Sequence, residues 1–165
     1  MAETQVIPEE SLSSPHRDAL LKSVEATFGA ICGESPVFAG ESAEAASASN
    51  VLGIIAVVGD LSWSVTLGFP QQTAEQLACK FAGFEIPFES SDMGDVVGEL
   101  ANVLAGDLVA QLDRNGVKVK MSLPTVARGN QMNVIPPGAV RSTRYRFRLP
   151  QGEMWLGLQV ARPKK

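Results

Sequence analysis

The stretch "NVLGIIAVVGDLSWSVTLGF" (50–69) decides the fold of this chain. Val51–Val58 is continuously apolar, as a strand covered on both faces is expected to be. Gly59 and Asp60 supply a turn, although Asp-Gly is the more usual order. Leu61, Trp63, Val65, Leu67 and Phe69 then alternate with Ser62, Ser64, Thr66 and Gly68, the period of a strand with one buried face. The pattern predicts an antiparallel hairpin, and the rest of the chain must cover its apolar side.

Helical segments flank the hairpin. "SSPHRDALLKSVEATFGAIC" (13–32) reads as a helix capped by Ser14 with Pro15 in its first turn and Leu20, Leu21, Val24, Phe28 and Ile31 as its buried stripe. After the small polar segment "ESAEAASAS" (41–49) and the hairpin, Pro70 and "QQTAEQLACKFAG" predict a second helix ended by Gly83. A third is expected over about 92–113, capped by Ser91 or Asp92, with Asp95 in the first turn and Asn115-Gly116 closing it. In "VKVKMSLP", Val117, Val119, Met121 and Leu123 are expected to face inward. "NQMNVIPPGAV" (130–140) holds a short extended piece, and "RYRFRL" and "MWLGLQV" are strands joined around Pro150–Glu153. The predicted order is α-β-β-α-α-β-(β)-β-β, an α+β fold with one largely antiparallel sheet and helices packed against it. Residues 1–14 read as a mobile tail and 15–165 as a single domain.

Composition narrows the function classes. A net charge of −4 argues against broad attraction to nucleic acid or anionic lipid. "IIAVV" (54–58) is far short of the ~20 apolar residues that span a bilayer. The acidic N-terminus has no long apolar core of the secretory kind, so the chain is expected to be cytoplasmic, without nucleic-acid or membrane partners. Cys32 and Cys79 form no CxxC and read as reduced packing residues rather than a disulfide. No glycine-rich phosphate loop, His/Cys cluster or Ser/His/Asp set is evident.

The informative segment is the third helix, "GDVVGELANVLAGDLVAQL" (94–112). At roughly 100° per residue, Val97, Leu100, Ala101, Leu104, Leu108 and Leu112 form its buried stripe. Asp95, Glu99, Asn102 and Gly106 fall opposite, flanked by Gly98, Ala105, Val109 and Ala110, while Asp107 and Gln111 stray toward the apolar side. An ordinary solvated face would carry Lys, Glu, Gln and Arg, and each interior glycine costs about 1 kcal/mol relative to Ala. A carboxylate and a carboxamide thus stand on a bare ridge. The plain alternative is that the small residues receive a neighbouring helix of the same fold, with Glu99 merely solvated.

Asp95-x3-Glu99-x2-Asn102, followed by Pro124, resembles the consensus of the CheC/CheX/FliY chemotaxis phosphatases. "GELANVLAGDL" (98–108), "SLPTVARG" (122–129) and the hairpin "LGIIAVVGDLSWSVTLGFP" (52–70) also look like their CheX-type counterparts, in the same order. The single ExxN motif is similar to CheX rather than to CheC-type chains, which carry two, and there is no room for the flagellar-switch domain of FliY.

The resemblance implies a CheX-like α+β fold, homodimers, and hydrolysis of the aspartyl phosphate of a CheY-like response regulator. It implies no cofactor of the chain's own, because the partner supplies Mg²⁺ and the activated acyl phosphate. It makes Asn102 the residue that orients the attacking water; a carboxamide both donates and accepts, and does not titrate. Glu99 pairs with the lysine that response regulators place beside the phosphoryl group. Asp95 and Pro124 are supporting motif residues.

Other signals read as structural. Arg144, Arg146 and Arg148 alternate with Tyr145, Phe147 and Leu149 as the solvated face of a strand does, rather than as a nucleic-acid surface. His16 is expected at the surface or at a cap, and Trp63 and Trp155 in the core or an interface. Two further functions stay open on sequence grounds: a non-catalytic adaptor that binds a phosphorylated receiver domain, and a purely structural oligomerisation module.

Overall fold

The computed structural model describes residues 14–42 and 49–162. In chain order these form α1 (Ser14–Cys32), β1 (Val37–Ser42), β2 (Val51–Gly59), β3 (Ser62–Phe69), α2 (Gln71–Ala82), α3 (Ser91–Arg114), β4 (Val119–Met121), β5 (Thr125–Arg128), β6 (Ala139–Leu149) and β7 (Gly152–Ala161). The expected N-terminal tail, apart from Ser14, lies outside the described residues, as do 43–48 of the polar segment and the last three residues.

The strands make one sheet in the order β1-β6-β7-β3-β2-β4, with β5 pairing β2 beside β4. Every pairing is antiparallel. The predicted hairpin is β2-β3, in register from Val51↔Phe69 to Val58↔Ser62. The chain is α+β, as expected.

Alternation decides which face is covered. Trp63, Val65, Leu67 and Phe69 of β3, Met154, Leu156 and Leu158 of β7, and Tyr145, Phe147 and Leu149 of β6 are all buried in one apolar core with the helices. From α1, Phe28 meets Phe69 edge-on with ring centroids 6.2 Å apart. His16 is half-buried, its ring T-shaped against Trp63 at 5.8 Å. The opposite face carries Arg144, Arg146 and Arg148, the last two exposed as expected. Arg144 lies over the Trp155 ring, 4.2 Å from its centroid. Trp155 in turn covers Gly68, where any side chain would collide with its ring.

Several expectations are corrected. Only the first part of β2 is covered on both faces; Ala56 and Val58 are exposed, left uncovered by the described residues. β1 was not predicted: its edge position leaves Val37 and Phe38 exposed and removes the alternation that marks a half-buried strand. The extra strand after β4 is Thr125–Arg128, not a piece of 130–140, which forms no strand before Ala139. Cys32 is buried but Cys79 is exposed, so only the first is a packing residue; both are free.

The helix ends follow local chemistry. Gly83 closes α2 in the left-handed conformation at φ 83°, its N–H donating to Cys79 O. α3 begins after Ser90, not Ser91 or Asp92. The Ser90 hydroxyl donates to Pro87 O at 2.7 Å instead of capping the helix. Asp95 therefore falls in the second turn, beyond the free N–H groups of the terminus. At the other end Val117 N–H donates to Leu112 O and Gly116 N–H to Asp113 O, both at 3.0 Å. This is the paired closure a glycine at φ 79° permits.

Candidate functional site

The predicted stripe of α3 is the buried one: Val97, Leu100, Ala101, Leu104, Leu108 and Leu112 are each at most 4% exposed. It seats on β2 because Gly53 has no side chain there. A Cβ on Gly53 would stand 2.9 Å from the Ala101 Cβ and 3.3 Å from Val97 O. Fixing that side of the helix turns the other outward.

On the outward side, Asp95 and Glu99 are exposed and Asn102 is half-buried. All three line an open cleft of about 590 Å³, walled on its far side by Leu123, Pro124 and Val126 and floored by Gly94 and Gly98. The structure thus brings Asp95, Glu99, Asn102 and Pro124 together at one cleft. The side chains of Glu99 and Asn102 have no hydrogen-bond or ion-pair partner among the described residues. No helix of the described chain packs on this ridge, since a Cβ on Gly94 or Gly106 would meet nothing within 4 Å. The helix-packing alternative for the small residues is therefore not what this chain does with itself.

The far wall has its own construction. β4 and β5 both pair with β2, and between them Leu123 and Pro124 stand opposite Ile55 alone, an inserted residue of the β-bulge kind. Ser122 holds the junction. Its N–H donates to Ala56 O at 2.8 Å, while its hydroxyl accepts the Ala56 N–H at 2.9 Å and donates to Leu123 O at 2.9 Å. Leu123, expected inward with Met121, is instead 86% exposed at the cleft rim. The inserted residue carries it past the buried stripe of α3. Behind the wall, Arg128 Nη1 donates to Phe88 O at 2.9 Å and Ser90 O at 2.7 Å, tying β5 to the start of α3.

Sequence reading missed Ser122 and Arg128 as builders of this wall. Ser122 stood in the quoted "SLPT", whose proline was a signal that the alternation of "VKVKMSL" stops there. Beyond Asn102 the ridge continues past Gly106 into an open, mainly apolar groove between α3 and β4, lined by Val58, Val109, Ala110 and Val119.

The site can bind and orient rather than attack. It offers an acceptor-only carboxylate if ionised and an uncharged donor–acceptor amide, both uncommitted and facing solvent. No group of three or more His, Cys, Asp or Glu that could hold a metal occurs among the described residues. No helix among them is long and apolar enough to cross a membrane.

Comparison with known proteins bears on this geometry. The fold is similar to a CheC-like superfamily protein from Shewanella sp. PV-4, with TM-score 0.81 at 17% identity over 92% of this chain and 100% of that one. It is also similar to the chemotaxis protein CheX from Vibrio vulnificus, with TM-score 0.77 at 18% identity over 88% and 98%. A third similar fold is that of the Borrelia burgdorferi CheX–CheY–BeF3–Mg²⁺ complex, with TM-score 0.75 at 18% identity over 89% and 98%. At such identities the likeness establishes the fold. No curated protein matches the sequence closely enough to count as a relative. The profile of the family described as chemotaxis phosphatase CheX matches residues 51–148, from β2 through the Glu99–Asn102 ridge and most of β6, and the chain belongs to that family.

Proposed function

We propose that this protein hydrolyses the aspartyl phosphate of a CheY-like response regulator, with Asn102 orienting the attacking water and Glu99 fixing the docked register. The observation that carries the reading is the pairing of two uncommitted polar side chains at one open cleft. The family is described as a phosphatase, and a similar fold from Borrelia burgdorferi is solved together with CheY, BeF3 and Mg²⁺.

An acyl phosphate bound with Mg²⁺ is already activated, so the remaining requirement is a water placed in line with phosphorus. Both the metal and the labile bond come with the partner, and the chain needs no nucleophile of its own. The Asn102 amide can accept one hydrogen bond from the water and donate another, which fixes its orientation without competing for its proton. Orientation of this kind recovers several kcal/mol of barrier. Glu99, exposed beside it, pairs with a lysine at the partner's phosphoryl site. Asp95 and Pro124 support the cleft, one on the helix and one on the facing wall. The reading includes a cytoplasmic homodimer.

The test is a screen of the host's phosphorylated receiver domains for accelerated phosphate loss with catalytic amounts of the protein. Multiple turnovers on one receiver support the proposal. Capture of a beryllofluoride-activated receiver with no acceleration contradicts it and leaves a non-catalytic adaptor. Light scattering of the full chain at a monomer's mass contradicts the homodimer.

A further inference from the structure

Leu123 is the most exposed of the large apolar side chains among the described residues, at 86%. A lone exposed leucine on a slack loop carries little meaning. This one is rigidly presented. On one side, Ser122 is bonded to Ala56 in both directions and to Leu123 O. On the other, the ring of Pro124 restricts the backbone, and β5 begins at the next residue. The bulge thus spends its inserted residue on holding an apolar side chain out in water beside Glu99 and Asn102.

We infer that Leu123 is the apolar contact through which this chain grips the surface around a receiver domain's phosphorylated aspartate. Ser122 acts as its positioning residue. The inference rests on the phosphatase reading above. A leucine already fixed in place loses little freedom when a partner covers it, so the apolar area it buries goes into affinity. The contact is equally good before and during reaction, so its loss raises KM and leaves kcat in place.

The experiment uses the full chain and the host's CheY-type receiver domains, activated with beryllofluoride and Mg²⁺ for binding and phosphorylated for turnover. Leu123→Ala is expected to weaken binding about ten-fold and raise KM to match, with kcat within about two-fold of wild type. Val140→Ala, at a valine 52% exposed on β6, should change nothing. Ser122→Ala should share part of the KM defect and Ser122→Thr, which keeps the hydroxyl, should restore it. Melting temperature should be unchanged in Leu123→Ala, since the side chain leaves no cavity. Wild-type affinity in Leu123→Ala, or a loss in kcat instead of KM, overturns the inference while Asn102→Ala still abolishes turnover. If the wild-type chain captures the activated receiver without accelerating phosphate loss, the phosphatase reading fails first and this inference with it.

Discussion

Gly53 on β2 lies so close beneath Ala101 on α3 that a Cβ added to it would stand 2.9 Å from the Ala101 Cβ. This contact sets how deeply the helix sits on the sheet, and with it the direction in which Glu99 and Asn102 point. Gly53→Val is therefore expected to destabilise the fold by about 1–3 kcal/mol through overpacking. Thermal melting checks it; an unchanged midpoint would show that α3 is not held by this contact.

The side chains of Glu99 and Asn102 take no part in the fold's own hydrogen bonding among the described residues. Glu99→Ala and Asn102→Ala should each remove most receiver dephosphorylation while melting within about 0.5 kcal/mol of wild type, as surface substitutions do. Activity lost together with stability would mark a structural role instead.

Gly106 lies in the interior of α3 facing open space, where a Cβ meets nothing within 4 Å. With no steric cost, Gly106→Ala should raise stability by roughly 0.5–1 kcal/mol, the usual helix preference for Ala over Gly. A melt that falls would mean the glycine answers a constraint inside the domain.

Tyr145 is the chain's only tyrosine, fully buried, and its hydroxyl has no hydrogen-bond partner among the described residues. Burial pushes its pKa above the ordinary value of 10.0, and the nearby charge of Glu41 adds to this against Arg141 and Arg17. The folded state keeps the phenol proton to higher pH than the unfolded chain does. This contribution to stability is intact below about pH 10 and is lost as pH rises through the folded pKa. Phenolate absorbance should appear only above pH 10 or so, together with unfolding. Tyr145→Phe should be neutral or stabilising by up to about 1 kcal/mol at pH 7, because it deletes a buried hydroxyl without a partner. Marked destabilisation at neutral pH would contradict this.

The parts of the molecule legible in the sequence were those with a clean period. β3 and the buried stripe of α3 each place apolar residues at the spacing of one covered face, so both could be read directly. β1 was not, because an edge strand with exposed Val37 and Phe38 leaves no alternation to detect. At "VKVKMSLP" a strict period of two was present and misled: the Ser122 junction and the inserted residue end the burial before Leu123. The cleft's helical wall could thus be read from spacing, whereas its far wall depends on a long-range fastening of Ser122 to Ala56 that local pattern does not encode. The boundary of α3 moved by a single residue, yet that displaced Asp95 from the first turn to the second.

The most direct measurement is single-turnover phosphate release from the cognate phosphorylated receiver, at saturating concentrations of wild-type protein and of Asn102→Ala. Water orientation by Asn102 predicts that the variant still binds the beryllofluoride-activated receiver while the release rate falls back nearly to the receiver's own. A variant that binds and releases phosphate as fast as wild type would contradict it.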